Sequence, residues 1–169
     1  MVDVESDGPI PGDFSMISFG AILVNDQLDK TFYGKLRPIA NNFVPDALAV
    51  SGHSREETMN FDDPQKVMIE FGKWITENCK DRPIFISDNN GFDWMFMCWY
   101  FHHFTGTNPF GFSSQNLGSL YKGMEKDTHK NFKHLRKTKH THNPVDDAKG
   151  NAEALLTMKN DMGLIIKLE

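Results

Sequence analysis

The stretch PIFISDNNGFDWMFMCWYFHHF, residues 83–104, decides the fold class. Its opening, PIFIS (Pro83 to Ser87), is apolar and rich in β-formers, the pattern of a short buried strand. DNNG (Asp88 to Gly91) carries turn chemistry. The run from Phe92 to Phe104 is apolar nearly all round, which predicts a helix buried on most sides. A strand, a tight turn and a buried helix in direct succession form the unit from which α/β folds are assembled.

Upstream, SMISFGAILV (Ser15 to Val24) is β-rich and ends at Asn25-Asp26. KTFYGKLRP (Lys30 to Pro38) alternates Phe32, Gly34 and Leu36 against Tyr33, Lys35 and Arg37, so the two segments read as a hairpin. Met1 to Glu5 reads as the end of a first strand, followed by a turn over Gly8 to Gly12. That strand is short, which predicts a natural chain beginning a few residues upstream. Asp63 as N-cap and Pro64 as first residue open a helix that places Val67, Met68, Phe71, Trp74 and Ile75 on one face and ends near Cys79. Downstream of the deciding stretch come a looser Gly/Asn/Ser-rich region (Thr105 to Ser114) and a short helix around Leu117 to Tyr121. Asn143 and Pro144 then start a last helix that buries Val145, Ala148, Ala152, Leu155 and Leu156. This order predicts a central mixed sheet flanked by helices, in one domain over residues 1–169.

Composition excludes several classes. With 39% hydrophobic and 24% charged residues, the chain is neither a disordered tail nor a fibrous repeat. No apolar run reaches membrane-spanning length and no signal-peptide pattern opens the chain, so a cytoplasmic location is expected. Cys79 and Cys98 form no C-x-x-C pair. A net charge of −5 argues against binding nucleic acid by bulk electrostatics. One basic island interrupts the acidity. Lys126, Lys130, Lys133, Arg136, Lys137 and Lys139 face a single acid, Asp127, across residues 126–139; a solvated surface is the ordinary reading of such a run.

Three places carry candidate chemistry. Asp3 and Glu5, two apart on a strand, share one face, where acids need compensation such as a divalent cation; a solvent-facing strand end is the plain alternative. Asp93 stands in the first turn of the buried helix, where the helix dipole alone would favour it. In HNPVDDA, His142 precedes the N-cap, and Asp146 and Asp147 compete for one direction, because one residue along a helix rotates a side chain by about 100°.

In order, these segments resemble the DEDDh family of 3′→5′ exonucleases, which includes proofreading exonucleases, RNase T and oligoribonuclease. The family's Asp-x-Glu followed by a Gly-containing turn is similar to Asp3-Val4-Glu5-Ser6-Asp7-Gly8. Its Asn-x-x-x-Asp at a strand-to-helix junction is similar to Asn89-Asn90-Gly91-Phe92-Asp93. Its His-x-x-x-x-Asp followed by Ala is similar to His142 through Asp147-Ala148. ALAVSGHSREE (Ala47 to Glu57) resembles the family segment near the 3′ nucleotide, although the usual Gly-Ile-Thr-like triplet reads Gly52-His53-Ser54 here.

The resemblance implies an RNase H-like fold with a five-stranded mixed sheet. It implies that Asp3, Glu5, Asp93 and Asp147 hold two Mg²⁺ (or Mn²⁺) ions about 3.5–4 Å apart, and it assigns the metal role to Asp147 over Asp146. His142 becomes the general base. His53 and Asn89 would contact the terminal nucleotide, Lys137 and Lys139 the phosphates of the trailing strand, and Phe14 or Phe43 a terminal base. The implied partner is a single-stranded RNA or DNA 3′ end, with RNA slightly favoured and nucleoside 5′-monophosphates released; a homodimer is also implied. The rivals are a zinc site on His140 and His142, which leaves the other acids unexplained, a noncatalytic binding module, and a phosphodiesterase of short oligonucleotides.

Overall fold

The computed structural model describes residues 1–168. Its frame is an antiparallel sheet in the order β1 (Val2–Ser6), β2 (Met16–Ile22), β3 (Thr31–Lys35). The register sets Asp3 opposite Gly20 and Glu5 opposite Ser18, with an irregularity between Glu5 and Ser6. The connection between β2 and β3 is organised by Asn25, whose side-chain oxygen accepts the N–H groups of Gln27 and Leu28. After β3 come two short helices, α1 (Pro45–Val50) and α2 (Arg55–Thr58), then α3 (Pro64–Asn78). Next are β4 (Phe85–Ser87), α4 (Asn90–Thr105), β5 (Ser114–Asn116) and α5 (Leu117–Glu125). A single 3₁₀ turn at Lys133–Leu135 precedes α6 (Pro144–Asp161).

Strand alternation divides the core. Val2, Val4, Phe19 and Ala21 project to one face of the sheet, where they meet Phe71 of α3 and Phe96, Tyr100 and Phe101 of α4. Met1 and Ile22 project to the other, against Ala148, Ala152 and Leu155 of α6 and Leu117 and Tyr121 of α5. The expected hairpin, the Asp63 cap on α3 and the Asn143 cap on α6 are all present. No described helix is long and apolar enough to cross a membrane.

Three expectations need adjustment. The chain is α/β, but its five strands form two sheets, because β4 pairs in parallel with β5 and β1 pairs with β2. β4 lies beside β1, yet the Val4 N–H donates to the Asp93 carboxylate at 3.0 Å instead of entering a ladder. A side chain thus takes a donor that a fifth neighbour would have used. Second, α4 is not buried on most sides. Asp93, Phe96, Met97, Tyr100 and Phe101 are buried, whereas Trp94, Met95, Cys98 and Trp99 are half-buried and His102 and His103 exposed. Third, Val145 and Leu156 of α6 are only half-buried.

Gly20 decides how closely α6 approaches the sheet. A Cβ at that position would lie 2.2 Å from the Pro144 carbonyl carbon and 2.3 Å from the Val145 nitrogen. Only a residue without a side chain lets the first turn of α6 rest on β2, directly across from Asp3. Gly20→Ala should therefore destabilise the chain by about 1–3 kcal/mol, the usual range for forcing extra volume into a packed core. Thermal unfolding measures this, and an unchanged midpoint would refute the close approach.

Candidate metal centre and active site

The strand alternation that buries Val2 and Val4 turns Asp3 and Glu5 to the α6 side of the sheet. The first turn of α6 supplies the third acid. Asn143 accepts the N–H groups of Val145 and Asp146, Pro144 fits the first helical position, and Asp147 then points inward with 2% exposure. Asp146 points away and accepts from the Thr141 hydroxyl at 3.2 Å. Of the two rival acids, Asp147 is the one the helix aims at β1. Carboxylate oxygens of Asp3, Glu5 and Asp147 lie within 4.8 Å of one another.

Asp93 reaches the same strand from the opposite direction. The turn after β4 starts α4 at Asn90, with Asn89 as N-cap, and the Asn89 carbonyl accepts the Asp93 N–H. One Asp93 oxygen accepts from Val4 on β1, and the buried Ser87 hydroxyl lies beside the carboxyl. Asp147 Oδ2 is buried and unpartnered.

Asp3, Glu5 and Asp93 resist ionisation together. Burial lifts the Asp3 carboxyl well above the carboxylate range, and the charge of Asp93, then Glu5, then Asp147, pushes it further. Burial and the charge of Asp147 raise Glu5 to about 7. Burial first, with the Asp88 charge adding to it, raises Asp93 to about 7. An orphaned Asp147 oxygen within an all-oxygen set of mutually repelling acids fits a hard divalent cation, which supplies both the missing partner and the missing positive charge.

His142 stands at the rim, exposed, in a left-handed backbone conformation (φ 59°) immediately before the α6 cap. Its ring lies 4.3 Å from that of His140, and a ring nitrogen comes within 4.8 Å of an Asp147 oxygen. Asp147 Oδ1 accepts the Thr141 N–H at 3.1 Å, and His140 Nδ1 lies 2.8 Å from the same oxygen. The sequence showed His140 only as half of a zinc pair; nothing in the spacing pointed to this contact.

The remaining sequence candidates lie farther out. His53 follows α1 and meets Phe61 edge-on, with ring centroids 4.9 Å apart. Asn89 is exposed and its side chain makes no capping bond. Lys137 and Lys139 are exposed. Phe14 is packed against Gly8, while Phe43 is partly exposed beneath the Arg55 guanidinium. Arg136 leaves the basic island altogether: it is tucked inward to pair with Asp88 at 2.9 Å and to donate to Asn151. Glu153 fixes the following residues by accepting the N–H groups of Lys137 and Thr138. Arg136 and Glu153 thus tie the loop carrying both histidines to α6, a role invisible in a run of basic residues.

No family model matches the chain. The 3′-5′ DNA exonuclease Cap18 of Escherichia coli is 40% identical over 127 residues, a match covering 73% of this chain and 67% of Cap18. The chain belongs to the DEDDh (DnaQ-like) family of 3′→5′ exonucleases. Solved structures of DEDDh-type nucleases share its RNase H-like fold. Cell-death related nuclease 4 superposes with a TM-score of 0.72 at 18% identity, over 95% of this chain and 62% of that one. A full-length 3′-exonuclease gives 0.75 at 16% identity, over 95% and 59%. The zinc-bound complex of E. coli ExoI with single-stranded DNA gives 0.72 at 15% identity, over 95% and 40%. The chain therefore spans about three-fifths of the length of the first two structures.

In this DEDDh chain the raised carboxyls make a signed prediction. Glu5 and Asp93 keep protons in the folded state up to about 7 that the unfolded chain has already lost near pH 4, so they lower stability as pH rises through that window. The Met1 amine, pulled down to about 5 by burial, acts in the opposite sense and must be separated out. The double variant Glu5→Gln, Asp93→Asn does this. Without divalent ions its melting temperature relative to wild type should climb from about pH 5 to about pH 8, and Mg²⁺ should close the gap by stabilising only the wild type. A gap independent of pH would show that these acids are not strained in the fold.

Proposed function

We propose that this chain is a metal-dependent 3′→5′ exonuclease that removes nucleotides from the 3′ end of single-stranded nucleic acid and releases nucleoside 5′-monophosphates. The observation that carries the reading is the cluster that Asp147 of α6 forms with Asp3 and Glu5 of β1, to which Asp93 of α4 adds its charge, with an unpartnered buried oxygen on Asp147 beside a histidine at the rim. A structural role would pair that oxygen; a cation-holding role leaves it open.

Asp3, Glu5, Asp93 and Asp147 would hold Mg²⁺ or Mn²⁺, two ions in all. When bound, the ions supply Lewis-acid stabilisation of the charge that develops at the scissile phosphate. His142 accepts a proton from the attacking water through a ring nitrogen, and its exposed position leaves room for substrate beside it. Asn89 offers an uncommitted amide at the start of α4, and His53 lies on the segment that resembles the 3′-nucleotide region. Lys137 and Lys139, held out by the loop that Glu153 anchors, meet the trailing phosphates. Arg55 over Phe43 presents a flat cationic and aromatic surface on which a terminal base can stack.

The family resemblance alone favours RNA, on the ground that small free-standing members often act on it. Cap18, at 40% identity, is named a DNA exonuclease, and that nearer kinship tips the proposal toward DNA. A structural neighbour that recognises the 3′ end of a histone mRNA stem-loop shares the fold at only 16% identity.

The test is digestion of 5′-labelled single-stranded DNA and RNA with Mg²⁺ or Mn²⁺. A ladder shortening from the 3′ end is expected, abolished by EDTA. His142→Ala should lose about 10²–10⁴-fold in rate, the range for removal of a general base, and Asp147→Asn and Asp93→Asn at least as much. Products that shorten from the 5′ end, or full activity in Asp147→Asn, would reject the reading. Binding without cleavage by the metal-loaded wild type would mark a noncatalytic module.

A further inference from the structure

We infer that His140, His142 and Asp147 form a second, nitrogen-bearing metal site that takes Zn²⁺ and switches the chain off. One ligand atom from each of the three lies within 4.8 Å of the others, and the set overlaps the oxygen-only group of Asp3, Glu5 and Asp147 through Asp147 alone. The two groups have opposite chemical preferences. Carboxylates suit Mg²⁺ and Mn²⁺, whereas paired imidazoles select zinc and its neighbours in the divalent series.

The local geometry suits a metal. His140 Nδ1 and Asp147 Oδ1 are 2.8 Å apart, and the same oxygen accepts the Thr141 N–H at 3.1 Å. Ligands on a zinc tetrahedron with bonds of about 2.0 Å sit about 3.3 Å apart, so a metal entering here spreads the pair by about half an ångström. Asp147 is 2% exposed and its Oδ2 has no partner, so the site contains a buried oxygen that neither contact satisfies. Both histidines are exposed, with the His140 side chain at 53%, which gives an ion a path from solvent and leaves a fourth position for water. The loop bearing them is fastened to α6 by Arg136 and Glu153, so the ligands are held near one another before any ion arrives.

Zinc binding here needs no nuclease activity. The inhibitory consequence rests on the proposed function: a ring nitrogen of His142 bound to zinc cannot accept a proton from water, and Asp147 is drawn away from the acid group.

Co²⁺ as a spectroscopic stand-in, and Zn²⁺ by calorimetry, test the site on the whole chain. Wild type should bind Zn²⁺ and give the intense visible absorption of a nitrogen-ligated tetrahedral Co²⁺. His140→Gln, a change at an exposed position, should weaken Zn²⁺ binding at least about tenfold and abolish the Co²⁺ band. Glu5→Gln, which removes an oxygen ligand only, should keep both. In the digestion assay with Mg²⁺ present, Zn²⁺ should inhibit wild type, and His140→Gln should need at least about tenfold more Zn²⁺ for the same inhibition. A Co²⁺ band that survives His140→Gln and vanishes in Glu5→Gln would overturn the inference and place zinc among the carboxylates. If the chain proves to have no nuclease activity, the spectra and calorimetry still decide whether the site exists.

Discussion

Carboxylates of Asp3, Glu5 and Asp147 repel one another at the distances found here, and most of the fold around them keeps them from separating. β1 cannot turn the two acids away without also exposing Val2 and Val4, because strand alternation couples the faces. α6 cannot withdraw Asp147 without lifting Pro144 off Gly20 and Ala148, Ala152 and Leu155 off their core. The repulsion is thus opposed by hydrophobic burial on both faces of the sheet, a much larger quantity. Where the acids meet, two helix N-termini, those of α4 and α6, point their positive ends inward and relieve part of the remaining cost.

The loop before α6 is the second element of order. A run with six basic residues reads as a surface, yet one of them is spent inside. Arg136 joins Asp88, at the turn leading to Asp93, with Asn151, one helical turn beyond Asp147. One guanidinium nitrogen, Nη2, therefore spans the two helix starts that carry acids. Gly150 makes room for it, since a Cβ there would press on the Thr138 carbonyl and the Arg136 stem. With Glu153 holding the next two amides, the histidines that follow emerge from an anchored base.

Local chemistry was legible in the sequence and lateral contact was not. The Asp3/Glu5 spacing, the Asp63-Pro64 and Asn143-Pro144 starts and the strand-turn-helix around Phe92-Asp93 are short-range rules, and the structure follows each of them. The choice of Asp147 over Asp146 needed the family resemblance; in the fold Asp147 is the buried one and Asp146 accepts from Thr141. The division of five strands into two sheets could not be read, because strand pairing is lateral: beside β1 the Val4 N–H meets a side chain 89 positions away instead of a ladder. The half-exposed stripe of α4 misled for a related reason. An all-apolar helix signals burial on every side, but Trp94, Met95, Cys98 and Trp99 are covered only in part, Trp94 by Phe85 and Phe110. His140 and Arg136 were hidden by their neighbours, since in a basic, histidine-rich run no residue stands out.

The site therefore divides into a rigid interior and an open rim, and under the proposed function the two parts would discriminate between cations differently. Asp3, Glu5, Asp93 and Asp147 are fixed by strand and helix backbone, so they offer hard oxygen ligands at positions set by the core. The histidines sit on the loop side of the same aspartate, where the His142 backbone adopts a left-handed conformation unfavourable to a residue with a Cβ. That conformation costs energy and is retained where it brings the imidazole beside His140 and within reach of Asp147. Asp147 belongs to both parts, so its two oxygens, one shared by the Thr141 N–H and the nearby His140 ring and one without a partner, are where the acid centre and the rim must compete. Any ion or proton that binds one part is felt by the other through that single side chain.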